Sequence, residues 1–436
     1  MKMIQTPRGT RDFLPETMAR RQWLLDRVRS VFERFGFDPL ETPAFESWEL
    51  LSRKGVGGQE IRGEIYYFKD KSERGLGLRF DLTVPLARVV ANNPQLILPF
   101  RRYQIGRVWR YDRPGPGRYR EFWQADADIV GSPSMEADAE CIAAAVAALK
   151  ELGFRDFAVR LNSRKILNGL VEFARVEKEE AFDVFRSLDK LEKIGEKGVL
   201  EELEAKGIGK AAIGALLKMI KVNGKPGDVL EREKEKLKGI RIAQEGIAEL
   251  EKILEKAKAY GIADKITIDF SLVRGLDYYT GPIFEVAAKT RQDVGSVAGG
   301  GRYDRLVGLY GGRNLPAVGI SLGVERLFEI MEAEGMFKLP QTLTQLFVVA
   351  VDDNARGHAT RIAGLLREKG INVQADSMGR PMRSQLEYVN RKGIPYALFV
   401  GERELKEKKF VLKDMGSGKQ DAMDIGSVVV RLRGPI

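Results

Sequence analysis

Residues 120–131, REFWQADADIVG, alternate in a way that few folds can satisfy. Successive side chains of an extended strand point to opposite faces, so Trp123, Ala125, Ala127 and Ile129 share one face while Phe122, Gln124, Asp126 and Asp128 share the other. The first face is apolar and needs a covering layer. The second sets an aromatic ring beside an amide and two carboxylates, where a solvated sheet face would carry Lys, Thr or Glu. A ring for stacking next to several acceptors suits a base together with an ammonium or imidazole group.

A second long strand is expected over 100–111, joined to 121–130 by the loop DRPGPGRYR, and the two make a hairpin. Arg110 follows Trp109 on the partner strand, and the loop adds Arg113, Arg118 and Arg120. Such a cluster can neutralise phosphates or be a solvated basic hairpin. Upstream, helical spacing over 16–35 ends at Gly36, and FDPLETPAFE (37–46) reads as a strand that Pro43 confines to an edge or interface. Short strands are expected at 65–69 and 78–81, then a helix opened by Thr83 with Pro85 in its first turn.

From 164 to 260 the chain turns to lysine and glutamate at helical spacing, broken at Gly195, Gly207 and the NGKPG stretch, as in a separate helical module inserted into the first domain. Strand character resumes at Ile266 and runs to LPAVGISLG, followed by the helix VERLFEIMEAEG. After Pro340, strands near 346–351, 371 and 395–400 alternate with helices near 355–369 and 381–392, which predicts a small α/β domain.

Composition excludes several chemistries. The single histidine, His358, rules out catalysis by a histidine pair and metal sites built from several histidines; the single cysteine, Cys141, rules out an internal disulfide framework and a multi-cysteine zinc site. No apolar run reaches membrane-spanning length and no signal-peptide core opens the chain, so a cytoplasmic location without membrane contact is expected. The excess of 72 Lys and Arg over 62 Asp and Glu favours a polyanionic partner.

Two further segments bear on function. In LVRGLDYYTGPIFE (272–285), Arg274 is a cation able to meet a reacting phosphate, while Asp277, Tyr278 and Tyr279 can read a small polar ring by hydrogen bonds. GGGRYDRL, from Gly299, lets backbone approach a ligand or simply makes a tight turn. Neither GxxxxGK[ST] nor GxGxxG occurs, so a nucleotide would be held without a P-loop or Rossmann turn. Gly319, Ser321 and Gly323 spell GxSxG, with Asp352 or Asp353 and His358 following in the order of a hydrolase triad. The acid and base would then sit only a few residues apart in a different domain, so a strand passing under a ligand is the better reading.

In combination these segments resemble the class II aminoacyl-tRNA synthetases and, within them, the histidyl-tRNA synthetase family. FDPLETPAFE is similar to motif 1, GRVWRYDRPGPGRYREFWQADADIVG to motif 2 and VGISLGVERL to motif 3; LVRGLDYYTG and AGGGRYDRLVG are similar to the two segments peculiar to the histidine enzymes. The resemblance implies an α+β fold: an antiparallel catalytic sheet with helices (1–163 and 261–335), an inserted helical domain (164–260) and a C-terminal α/β anticodon-binding domain (342–436). It implies ATP-dependent ligation of L-histidine to tRNA(His) through a histidyl-adenylate, with Mg²⁺ accompanying ATP and no metal ligands of the protein's own. A homodimer formed through motif 1 is implied too, with no DNA partner.

Carried over position by position, Arg110 would bind the ATP α-phosphate, Asp112 the adenine edge, and Phe122 and Arg326 the two faces of the adenine, with Arg118 among the phosphate contacts. Arg274 would lie against the α-phosphate and the histidine carboxylate, making Arg110 and Arg274 the catalytic pair. Asp81, Thr83 and Gln124 would hold the substrate ammonium, while Asp128 and Tyr279, beside Tyr278, would read the imidazole. Many family members carry glutamate at the positions of Asp81 and Asp128. An alternative within the same resemblance is a non-catalytic, histidine-binding regulatory paralogue of the kind found with ATP phosphoribosyltransferase. Such relatives generally lack the anticodon domain and lose active-site residues, whereas Arg110, Arg274 and Arg326 are all present here. In the C-terminal domain Arg380, Arg383, Arg391, Lys392, Lys406, Lys408 and Lys409 are candidate phosphate contacts.

Overall fold

The computed structural model describes residues 4–53, 63–115, 117–273 and 278–433. The chain forms two compact units, one of Met1–Asp12 and Leu24–Met336, the other of Phe13–Trp23 and Phe337–Ile436. The strands in chain order are β1 Asp38–Pro39, β2 Phe45–Ser47, β3 Tyr67–Lys69, β4 Gly75–Leu78, β5 Phe100–Trp109, β6 Glu121–Val130, β7 Phe157–Ser163 and β8 Ile266–Ile268. They continue with β9 Pro282–Ala288, β10 Ser296–Arg302, β11 Ala317–Gly323, β12 Leu346–Ala350, β13 Val373–Ala375, β14 Tyr396–Val400, β15 Phe410–Asp414 and β16 Gln420–Met423.

The first unit is organised round an eight-stranded sheet in the order β1-β5-β6-β11-β10-β9-β7-β8. Its six central strands are antiparallel, and the short edge strands β1 and β8 pair in parallel with β5 and β7. The apolar side of β6 is covered as its pattern demands. Ala125, Ala127 and Ile129 are buried, and the alanine-rich helix Met135–Glu151 packs behind β6, β10 and β11. Small side chains let helix and sheet approach closely, and each fully buried Ile, Val or Leu here is worth about 1.5–3 kcal/mol. Cys141 lies inside this layer with its thiol toward the Val318 carbonyl.

Residues 164–260 form helices, among them Arg164–Phe173, Ala181–Leu188, Leu191–Ala205, Lys210–Ile220, Pro226–Lys236 and Arg241–Ala259. The break expected at Gly195 is a kink where that residue takes φ 68°. These helices fall within the first unit, joined to it by packing of Arg241–Ala259 on Met135–Glu151.

Boundaries move where side chains draw backbone out of the ladder. The strand expected at 78–81 lies earlier, as β4, because Arg79 turns to the Thr42 and Arg107 carbonyls and Asp81 accepts the Val84 N–H at the head of helix Thr83–Asn92. β5 stops at Trp109, where Arg110 begins the loop.

In the second unit the sheet order is β13-β12-β14-β15-β16, with β13, β12 and β14 parallel and β15 and β16 antiparallel. Helices Arg356–Glu368 and Met382–Lys392 supply the βα alternation read from the sequence, and the β15–β16 hairpin extends it. Both sheet faces are buried, one by Ile362, Leu366, Val428 and Leu432 and the other by Val389 and Ile394.

Candidate active site

The polar face of β6 lines a cavity of about 580 Å³. Pairing fixes the neighbours: Asp128 lies opposite Arg102 on β5 and Gly319 on β11, Asp126 opposite Gln104 and Ser321, Gln124 opposite Gly106 and Gly323. The glycines on β11 make room. A Cβ on Gly319 would collide with Asp128 Oδ1, so any other residue there would push the carboxylate out of place.

Asp81, Thr83, Arg110, Asp112, Arg118, Phe122, Gln124, Asp128, Tyr278, Tyr279 and Arg326 all line this one cavity. Arg274 and Asp277 lie outside the described residues. The lining also includes Asp126, Tyr303, Ser321, Glu285 and Glu325, and, from the helical stretch, Asp189 and Lys193.

One end is acidic and closed. Asp81, Asp126 and Asp128 are buried there, with the buried guanidinium of Arg102 against Asp128. Arg102 Nη2 is 2.8 Å from Asp128 Oδ2 and also donates to the Leu82 carbonyl at 3.1 Å; Tyr303 Oη donates to Asp128 Oδ1 at 2.5 Å. Asp128 Oδ1 is thus hydrogen-bonded, while Oδ2 lies beside the Arg102 guanidinium without a hydrogen bond of its own. Asp81 Oδ2, Gln124 Oε1, Asp126 Oδ1 and Asp128 Oδ2 are buried without a hydrogen-bond partner, as are Nε and Nη1 of Arg102. Unpaired buried polar atoms cost roughly 1–3 kcal/mol each, and the unpaired oxygens favour a ligand that supplies donors.

Electrostatics agree. Burial pushes Asp126 up to about 7 and Asp81 up to about 6, and raises Asp128 as well, against the pull of nearby arginines. Tyr278 and Tyr303 are raised well above the usual phenol, first by burial, and remain protonated donors. The rings of Tyr278 and Tyr279 meet edge-on at 4.9 Å, and those of Tyr278 and Tyr303 at 5.8 Å, which fixes their orientation.

The other end is basic and open. The Arg110 guanidinium sits 5.2 Å from the centre of the Phe122 ring while its Nε donates to the Phe80 carbonyl. Arg326, in the first turn of helix Val324–Ala333, donates to the Ser296 carbonyl at 2.6 Å. Arg118 is half-exposed, 3.7 Å from Asp112. Of the other loop arginines, Arg113 is exposed, and Arg120 lies over the Tyr111 ring and donates to the Asp112 carbonyl; neither is in the cavity lining. Arg120 braces the loop, a correction to the phosphate cluster read from sequence.

The hydrolase alternative has no support in the geometry. The Ser321 hydroxyl accepts from Gln124 Nε2 at 2.6 Å, Asp352 accepts the Ala355 N–H, and Asp353 pairs with Arg356. Sequence reasoning left Arg102, Tyr303, Asp189 and Lys193 out of the site. Arg102 is an arginine in a strand, buried behind the cavity lining, and only the register to Asp128 brings it to that carboxylate.

Comparisons with known proteins follow the same division. Residues 9–327 match the family model described as histidyl-tRNA synthetase, and residues 345–434 match an anticodon binding domain. A histidine–tRNA ligase of Aeropyrum pernix is 44% identical over 430 residues, covering 97% of this chain and 96% of the relative. The crystal structure of histidyl-tRNA synthetase from Nostoc sp. superposes with a TM-score of 0.87 at 32% identity, over 99% of both chains. A Bacillus halodurans protein described as an ATP phosphoribosyltransferase regulatory subunit/histidyl-tRNA synthetase shares the fold, with a TM-score of 0.77 at 23% identity.

Proposed function

Because this chain belongs to the histidyl-tRNA synthetase family and is a histidine–tRNA ligase, we propose that the acidic end of its cavity takes the amino acid and the basic end takes ATP. The observation that carries this reading is the excess of buried acceptors. Among the described residues three buried carboxylates and an amide oxygen present unpaired acceptors to the cavity, and an α-ammonium beside an imidazole supplies both charge and N–H donors. Asp81, Thr83 and Gln124 receive the ammonium. Asp128 and Tyr279, with Tyr278 packed behind, receive the imidazole, and Asp126 joins them through its unpartnered Oδ1. A pocket that must satisfy buried polar groups rejects side chains lacking the ring N–H far more strongly than an apolar pocket rejects a missing methylene.

At the other end Phe122 and Arg326 hold the adenine, Asp112 its edge, and Arg110, Arg118 and Arg274 the phosphates. The histidine carboxylate attacks the α-phosphorus; an O–P bond forms, the bond to the β,γ-phosphates breaks, and pyrophosphate leaves. Two anions meet in this step, so Arg110 and Arg274 act by stabilising charge on the phosphoryl oxygens, with no protein nucleophile. The terminal ribose hydroxyl of tRNA(His) then attacks the acyl carbon and AMP leaves. Mg²⁺ would accompany the triphosphate, whose charge it offsets.

We also assign residues 1–163 and 261–335 to catalysis, 164–260 to a helical insertion and 342–436 to reading the anticodon. Arg391, Lys408 and Lys409 join Arg383 and Lys406, which make exposed pairs with Glu387 and Glu402, as candidate phosphate contacts, whereas Arg380 is bonded to Asp376 and stacked on Tyr388. The homodimer belongs to the same reading, and exposed Phe45 and Phe68, packed on each other at 6.3 Å in the small β2-β4-β3 sheet, are suited to a contact near motif 1. A cytoplasmic location goes with it.

The test is ATP–pyrophosphate exchange screened against all twenty amino acids. Exchange with histidine alone is expected. Exchange with another amino acid, or histidine binding without exchange, would overturn the assignment, the second outcome pointing to a regulatory paralogue.

A further inference from the structure

The segment TPRGTRD near the N-terminus lies against the hairpin loop and the arginine helix of the basic end. It makes a tight turn of its own, with the Thr10 N–H and hydroxyl both donating to the Pro7 carbonyl. Gly9 takes φ 84°, and its carbonyl accepts the Arg120 N–H at 2.8 Å; a Cβ there would come within 2.7 Å of Arg120 Cγ. That contact holds the base of the loop, because Arg120 O in turn accepts the Arg110 N–H at 3.0 Å.

Two residues on, Arg11 reaches both sides of the site at once. Its Nη1 donates to Tyr119 Oη at 2.9 Å with the guanidinium 4.0 Å over the tyrosine ring, and its Nη2 meets Glu325 Oε2 at 2.9 Å. Glu325 is buried and its other oxygen accepts the Trp123 N–H of β6; Tyr119 Oη donates to Glu329 Oε1 at 2.5 Å. Burial first, and then this bond, push the Tyr119 phenol up to about 12, so it stays a donor. One guanidinium therefore ties the loop that carries Arg118 to the helix that carries Arg326, and sets its positive charge against Glu325, which lines the cavity, while Tyr119 links it to Glu329.

We propose that the N-terminal segment is a latch for the nucleotide half of the site, with Arg11 a positioning residue that fixes Tyr119 and the Arg326 helix and offsets Glu325 and Glu329 where a polyanion must bind. The proposal rests on the ligase reading. If the wild-type chain gave no histidine-dependent exchange, that reading would fail before the latch came into question.

With exchange established, Arg11→Ala is expected to raise KM for ATP by about tenfold while KM for histidine stays within about twofold, since only one end of the cavity loses its brace. Arg11→Lys should recover little, because an ammonium lacks the fork that meets Tyr119 and Glu325 together. Removing the opposing charge as well, in Arg11→Met with Glu325→Gln, should restore part of the ATP affinity. A melting temperature measured alongside separates latch from scaffold. The proposal is overturned if Arg11→Ala leaves KM for ATP unchanged, if both KM values rise together with a lowered melting temperature, or if the double variant binds ATP no better than Arg11→Ala.

Discussion

At one end of the cavity Asp81, Asp126 and Asp128 are at most 3% exposed, fixed by β6 and the turn after β4, with Arg102 and Tyr303 locking Asp128 from behind. At the other, Arg110, Arg118 and Arg326 come from a loop and a helix start, and the Arg118 side chain is 50% exposed. On the proposed reading the closed end would tell a small polar ring from its competitors by donors and acceptors held in place by the sheet. The open end would suit a triphosphate, which carries charge enough to be held by long side chains in partial contact with water.

The largest effect should come from the two arginines proposed to meet the α-phosphate. Arg110→Ala, or Arg274→Ala, is expected to lower the rate of histidine-dependent exchange by at least about a hundredfold, as when a charge aimed at the transition state is removed. Single-turnover adenylate formation measures it, and an unchanged rate would mean that the arginines bind but do not catalyse. At the closed end, Asp126→Asn should raise KM for histidine by about tenfold and leave KM for ATP alone, because a buried charged acceptor is lost without change of shape. Equal changes in both constants would erase the distinction between the two ends.

pH sharpens it further. Asp81 and Asp126 have their folded values raised, to about 6 and about 7, so the burial penalty is absent below the ordinary carboxylate range, grows as pH rises towards 7 and is complete above it. The free protein should lose thermal stability from pH 4 to 7.5, and histidine should stabilise it more at pH 7.5 than at pH 5. Asp126→Asn should flatten that slope in a thermal-shift series. The smallest effect is expected of Arg118→Ala, a rise in KM for ATP of about threefold, since a half-exposed cation is screened by water. A hundredfold loss there would show that the loop closes on the nucleotide.

Much of the site is legible in the order of residues alone. Alternation along 120–131 puts Phe122, Gln124, Asp126 and Asp128 on one face, and the register of β6 keeps them there. Small residues at Gly319, Ser321 and Gly323 mark a strand under a ligand, and they line the cavity. Less visible are contributions whose meaning depends on a neighbour distant in the chain. Arg113, Arg118 and Arg120 look alike in sequence, yet one is exposed, one lines the cavity and one braces the loop from beneath Gly9. Arg380 looks like a surface cation and is consumed by Asp376.

What the sequence determined by itself was local: which side chains share a strand face, where glycine opens room, and the run of segments similar to one family. Only the tertiary structure decided that Asp128 gives one oxygen to Tyr303 and sets the other beside Arg102, that Asp126 keeps one unpartnered, and that Arg11 spans loop and helix. Periodicity is a property of a single segment and can be read along it. Burial, charge coupling and hydrogen-bond satisfaction belong to groups that chain folding brings within a few ångströms, and they exist only once it has done so.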